Sequence, residues 1–164
     1  MGKMKNAKLY RPNTFYHVYN RGNRKQIVFW NSSDYVRFTK KVLEYEKLYD
    51  LTIYKRCLMP NHYHMLIRLG NSVEDISRFM HRSMTAYTMY FNKKYDLVGS
   101  VFQGPFRVKR LEGIQDILRT SEYIDKNPVK AGLVRRSEDY KWLSGSFGKE
   151  EETYYLLKVL EARP

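Results

Sequence analysis

Cysteine is nearly absent. The 164 residues include one, Cys57, so no internal disulfide can form and a reducing compartment is expected. Acidic residues are scarce too: 17 Asp and Glu face 30 Lys and Arg, for a formal net charge of +13. Such an excess favours a polyanionic partner, nucleic acid or an anionic membrane surface, and charge alone does not choose between them. No apolar run is long enough to cross a bilayer, and the basic start MGKMKNAKLYRPN lacks the apolar stretch of a secretory signal. A soluble cytoplasmic protein with no membrane partner is therefore expected. Glycine and proline number only nine and five, and no Gly/Pro/Ser linker or internal repeat divides the chain. One domain over 1–164 is expected, a length that buries a core without staples.

Aromatics are abundant, with 15 Tyr, 8 Phe and 2 Trp interleaved among the positive charges. That mixture suits stacking of unpaired bases beside neutralised phosphates, and equally a Tyr-rich core under a solvated basic surface. TFYHVYN (14–20) is aromatic and β-branched, stops at the turn-forming RGNR, and predicts a strand. SSD (32–34) opens a helix to about residue 49, with Tyr35, Phe38, Val42 and Tyr45 at helical spacing. LTIYKRCL and HYHMLIRL predict two strands joined at MPN, close enough for an antiparallel hairpin. Ser72 with Asp75 reads as a capping box ahead of a stripe of Ile76, Phe79, Met80, Met84, Tyr87 and Phe91. FRVKRLE (106–112) predicts a fourth strand. A third helix then runs from Asp116 to Asn127, ended there because the residue before Pro128 is biased out of the helical region. The order βαββαβα predicts an α+β, ferredoxin-like, four-stranded antiparallel sheet with helices on one face. EEETYYLLKVL predicts a short terminal helix.

The chemistry concentrates in LMPNHYHMLIR (58–68). In a strand, His62 and His64 share one face while Tyr63, Met65 and Ile67 take the other. Two adjacent imidazoles can hold an ion, and two strand histidines can equally be structural hydrogen-bonding groups. Zinc would want a tetrahedral set, and no CxxC, HExxH or HxHxDH pattern supplies one. Magnesium or manganese could use two imidazoles and one further oxygen, with positions left for phosphate. In SEYIDKNPVKAGLV (121–134), Tyr123 and Asn127 stand four apart on one helical face, which offers such an oxygen or simply a capping Asn. His17 and His81 both read as structural rather than as ligands, though His17, if it shares the sheet face of the pair, could sit near an ion and orient a ligand. Arg21, Arg24 and Lys25 lie in a Gly-containing loop that suits a phosphate backbone or plain solvation; Lys126 and Lys130, which flank Tyr123, and Arg107 are further candidates to balance DNA phosphate charge.

In this order YHVYNRGN, LMPNHYHMLI, GSVFQG, YIDKNPVKAGLV and DYKWLSGS resemble the REP-associated tyrosine transposases and the wider single-tyrosine HUH endonuclease superfamily. The resemblance spans about 14–146 and leaves 147–164 as a C-terminal extension. It implies a ferredoxin-like fold, a divalent Mg2+ or Mn2+ held by His62, His64 and Asn127, and Tyr123, on a C-terminal helix, as nucleophile. It also implies cleavage of single-stranded DNA at hairpin-forming repeats or element ends through a 5′-phosphotyrosine. Among such relatives are dimers in which the tyrosine helix completes the partner's site, so a homodimer is one arrangement the resemblance allows. Two positions depart from the pattern. Pro105 stands where many relatives carry arginine, with Arg107 two further on, and Tyr63 replaces an aliphatic residue between the histidines.

Two other functions compete with a strand transferase: a non-catalytic nucleic-acid-binding module of the same fold, and an RNA-binding or RNA-processing protein. Charge and aromatics serve all three; a metal-dependent covalent adduct separates the first from the others.

Overall fold

A computed structural model describes residues 10–145. Five strands, β1 (Phe15–Arg21), β2 (Leu51–Met59), β3 (His62–Leu69), β4 (Arg107–Arg110) and β5 (Leu143–Ser144), form one antiparallel sheet in the order β4-β1-β3-β2-β5. The helices are α1 (Ser32–Glu46), α2 (Asp75–Tyr95) and α3 (Gly113–Lys130). The expected α+β architecture is present, with a fifth strand added. That strand has two residues against the outer edge of β2, too short for any alternation to announce it.

Period-two alternation decides which side chains meet which helices. Tyr16 and Val18 of β1 and Tyr63, Met65 and Ile67 of β3 join the larger core beneath α1 and α2, with Phe38, Val42, Phe79, Met80 and Tyr87. The opposite face carries a smaller core, where Phe15, Cys57, Met59 and Leu66 meet Leu111, Ile117 and Ile124 beneath α3. The two helices of the βαββαβ unit therefore lie on one face, as expected, and the C-terminal helix covers the other. α1 and α2 share the first, and α3 has the second to itself.

Three local expectations shift. α3 starts three residues before Asp116 and continues through Pro128 to Lys130. Pro128 lies in the buried stripe with Ile117, Ser121 and Ile124, so packing of its ring on the sheet outweighs the local bias against helix at Asn127. The box at Ser72 does not form. The Asp75 carboxylate instead accepts the Asp50 backbone N–H at 2.8 Å, tying α2 to the start of β2. At α1, Asn31 and Asp34 form a reciprocal capping box one residue ahead of the SSD cluster. The segment 150–160, expected to be helical, lies outside the described residues.

Candidate active site

The small core ends where the apolar side chains of β1 and β3 run out. Past Phe15 and Leu66 the α3 face carries His17, Tyr19 and Arg21 on β1 against Leu66, His64 and His62 on β3, in register. α3 packs against β2 and β3, and its rim holds Tyr123 over this polar end. The Tyr123 ring centroid is 5.6 Å from His64 and 6.0 Å from His17, edge-on to both. Tyr123 is 43% exposed, so its hydroxyl is within reach of a ligand. These groups border an open cleft of about 370 Å³, which Arg21, Lys25, Gln103 and Arg107 also line.

Both histidines of the pair are hydrogen-bonded through Nδ1. His62 Nδ1 lies 2.7 Å from Asn61 Oδ1, and His64 Nδ1 lies 2.9 Å from Nε2 of the buried His17. A neutral imidazole that donates from Nδ1 keeps a lone pair on Nε2. Asn127 adds an oxygen: its amide N–H donates to the Tyr123 backbone carbonyl at 2.7 Å, and its side chain also hydrogen-bonds His62. Burial lowers the pKa of His62 against that Asn127 bond. Burial, with a minor push from Lys109, takes His17 down to about 4, and burial plus the neighbouring His17 and His62 takes His64 down to about 3. All three rings are neutral at pH 7, the state a metal or a hydrogen-bond donor needs. Among the described residues no three His, Cys, Asp or Glu side chains converge to hold an ion. The His62 and His64 rings and the Asn127 side-chain amide are neighbours at this end of the sheet.

The structure brings His62, His64, Tyr123 and Asn127 together in one chain, with Arg21, Lys25 and Arg107 around the cleft and the Lys130 ammonium 5.5 Å from the Tyr123 ring centroid. It does not gather all the basic residues expected there. Lys126 pairs with Glu122 one turn back along α3, because i,i+4 neighbours meet before either reaches the sheet. Arg24 is exposed beside the cleft without lining it. His81 is exposed on α2, over the opposite face. Sequence reasoning missed Asn61, whose only signal was its place next to His62, and the Arg21–Gln103 hydrogen bond. Tyr19, 4.8 Å from His17 and 5.8 Å from His64, adds an aromatic face to the same wall.

No helix among the described residues is long and apolar enough to cross a membrane. Curated protein sequences include no match to this chain. Among solved structures, a REP-associated tyrosine transposase bound to a REP hairpin superposes with a TM-score of 0.69 at 17% identity, over 87% of this chain and 82% of the other. A candidate transposase from Deinococcus radiodurans aligns at 16% identity with a TM-score of 0.48, over 77% of this chain and 97% of its own. The first likeness establishes a shared fold. Residues 11–127 match the family described as "Transposase IS200 like", a span that includes the histidine pair, Tyr123 and Asn127, and the chain belongs to that transposase family.

Proposed function

We propose that this protein is a metal-dependent endonuclease and strand transferase for single-stranded DNA, acting through Tyr123 on hairpin-forming repeats or element ends. One observation carries the reading: an exposed tyrosine stands over two neutral histidines, each hydrogen-bonded through Nδ1, at a cleft bordered by cations. The relative solved with a REP hairpin supports the substrate class.

His62, His64 and Asn127 would hold the ion. Imidazole and amide oxygen together suit manganese, with magnesium as the harder alternative. When bound, the ion polarises the scissile phosphate and lowers the cost of charge on the attacking oxygen. Tyr123 Oη attacks phosphorus and the phosphorus–O3′ bond breaks. The phenolic proton leaves to water, the departing 3′-oxygen gains one, and the products are a 5′-phosphotyrosine and a free 3′-hydroxyl. Attack by a 3′-hydroxyl on that linkage reverses the step, so strands rejoin without ATP. Arg21, Lys25, Arg107 and Lys130 balance phosphate charge, while Tyr19 offers a ring to an unpaired base.

The test is a DNA hairpin with a single-stranded flank incubated with Mn2+ or Mg2+. An adduct that survives denaturation and fails to form with chelator supports the reading. Tight binding with no adduct favours a binding module, and preference for the matching RNA favours an RNA-directed role.

A further inference from the structure

Lys55 is 1% exposed, a lysine sealed between the sheet and α3. Its position follows from an irregularity in β2. The register against β3 slips between Ile53 and Lys55, and a bulge of this kind sends two successive side chains to one face. Ile53 packs on the large core, whereas Tyr54 packs on the small one and Lys55 pairs opposite Leu66 of that same face. The Lys55 ammonium then donates to Asp125 Oδ2 of α3 at 2.7 Å. Ser137 Oγ donates to the Asp125 backbone carbonyl, also at 2.7 Å, so both ends of that residue are tied.

Asp125 matters because of where it sits on the helix. Ile117, Ser121, Ile124 and Pro128 form the stripe that α3 buries. Tyr123 and Asp125 flank Ile124, each about 100° round the helix from it. Tyr123 thus occupies the rim over the histidines and Asp125 the opposite rim over β2. An apolar stripe is smooth and tolerates a small roll of the helix; a directional ion pair on one rim does not. With the phenolic oxygen about 8 Å from the helix axis, a roll of about 10° moves it by more than about 1 Å, enough to cost a large factor in an in-line displacement. Lys55 is buried and the Asp125 carboxylate is 30% exposed; replacing such a partly buried ion pair by apolar groups is often neutral for stability, so geometry is the property this pair supplies.

We propose that Lys55 is a positioning residue: through Asp125 it fixes the roll of α3 and so the placement of the Tyr123 hydroxyl over the His62–His64 pair. The idea rests on Tyr123 being the nucleophile, and the measurements separate the two. Lys55→Met and the double variant Lys55→Met/Asp125→Leu, which leaves no unpaired charge, are compared with wild type on hairpin DNA with Mn2+. At saturating DNA and metal, adduct formation should slow at least tenfold in both, with the hairpin Kd within threefold of wild type and with the double variant melting close to wild type. A 19F label on Tyr123, introduced as 3-fluorotyrosine, should change resonance position in both variants without any cleavage being required. The proposal is overturned if the double variant reacts at the wild-type rate, if affinity and rate fall in the same proportion, or if the 19F resonance is unmoved. Adduct formation by Tyr123→Phe would instead remove the nucleophile reading, leaving the 19F comparison to judge the role of Lys55.

Discussion

Replacing Tyr63 by phenylalanine should stabilise the protein. Tyr63 stands between the two site histidines but faces the large core, 0% exposed, with its ring 5.3 Å from Phe38 and 5.6 Å from Phe102. Its hydroxyl finds no hydrogen-bond partner among the described residues, and burial pushes its pKa far above the ordinary phenol value, so the group stays neutral and donates to nothing. Leaving a buried hydroxyl unsatisfied costs about 1–3 kcal/mol, while phenylalanine keeps every ring contact and leaves only a hydroxyl-sized gap. A net gain of about 1 kcal/mol is expected. For a chain of this size that raises Tm by about 2–4 °C and moves the urea midpoint up by about 0.5 M with unchanged slope. Adduct formation should be unaltered, because position 63 points away from the cleft. Destabilisation by more than about 1 kcal/mol would refute the reasoning and would mean that the hydroxyl is bound to an internal water.

Three further perturbations probe the site and its frame. His17→Phe keeps a ring on β1 but removes the partner of His64 Nδ1; the Mn2+ concentration needed for thermal stabilisation should rise about 10–100-fold, and an unchanged Mn2+ titration would mean that His64 needs no anchor. Lys25 has φ +62°, so Lys25→Gly should relieve left-handed strain and stabilise by about 1 kcal/mol, yet weaken DNA binding and flatten the log Kd against log salt slope by about 0.9; an unaltered slope would show that Lys25 touches no phosphate. Asp34 is buried, which by itself raises its pKa, but hydrogen bonds from Lys94, Tyr95 and the backbone of Asn31 and Trp30 outweigh burial and hold it below the ordinary carboxylate value. Its stabilising contribution is full above the unfolded pKa of about 3.9 and is lost as pH falls through the lower folded value. Asp34→Asn should accordingly cost about 2 kcal/mol at pH 7 and progressively less in urea melts below about pH 4; a gap constant with pH would contradict this.

Much of the site was legible because two short periodicities carry it. Strand alternation put His62 and His64 on one face and Tyr63 on the other, and the four-residue spacing of Tyr123 and Asn127 put both on one helical rim. What the sequence concealed is tertiary. The bulge at Tyr54 leaves no mark in the letters LTIYKRCL, yet it turns Lys55 inward to Asp125. Asp75 has the spacing of a capping residue and is drawn instead to the Asp50 N–H. Pro128 looks like a helix stop and becomes part of a packed stripe. In each case a contact distant in sequence outweighed a local preference of about 1 kcal/mol or a few. The two residues of β5 carry no pattern at all. Lys126, a candidate for phosphate, is taken by the nearer Glu122 one turn back.

The most direct measurement is the site of covalent attachment. Wild-type protein is incubated with the flanked hairpin and Mn2+, denatured and digested, and the DNA-bearing peptide is sequenced by mass spectrometry. The modified residue should be Tyr123, with a 3′-hydroxyl on the released strand and no adduct from Tyr123→Phe, although that variant binds the hairpin as tightly as wild type. An adduct on another tyrosine, or undiminished cleavage by Tyr123→Phe, would contradict the role given to α3.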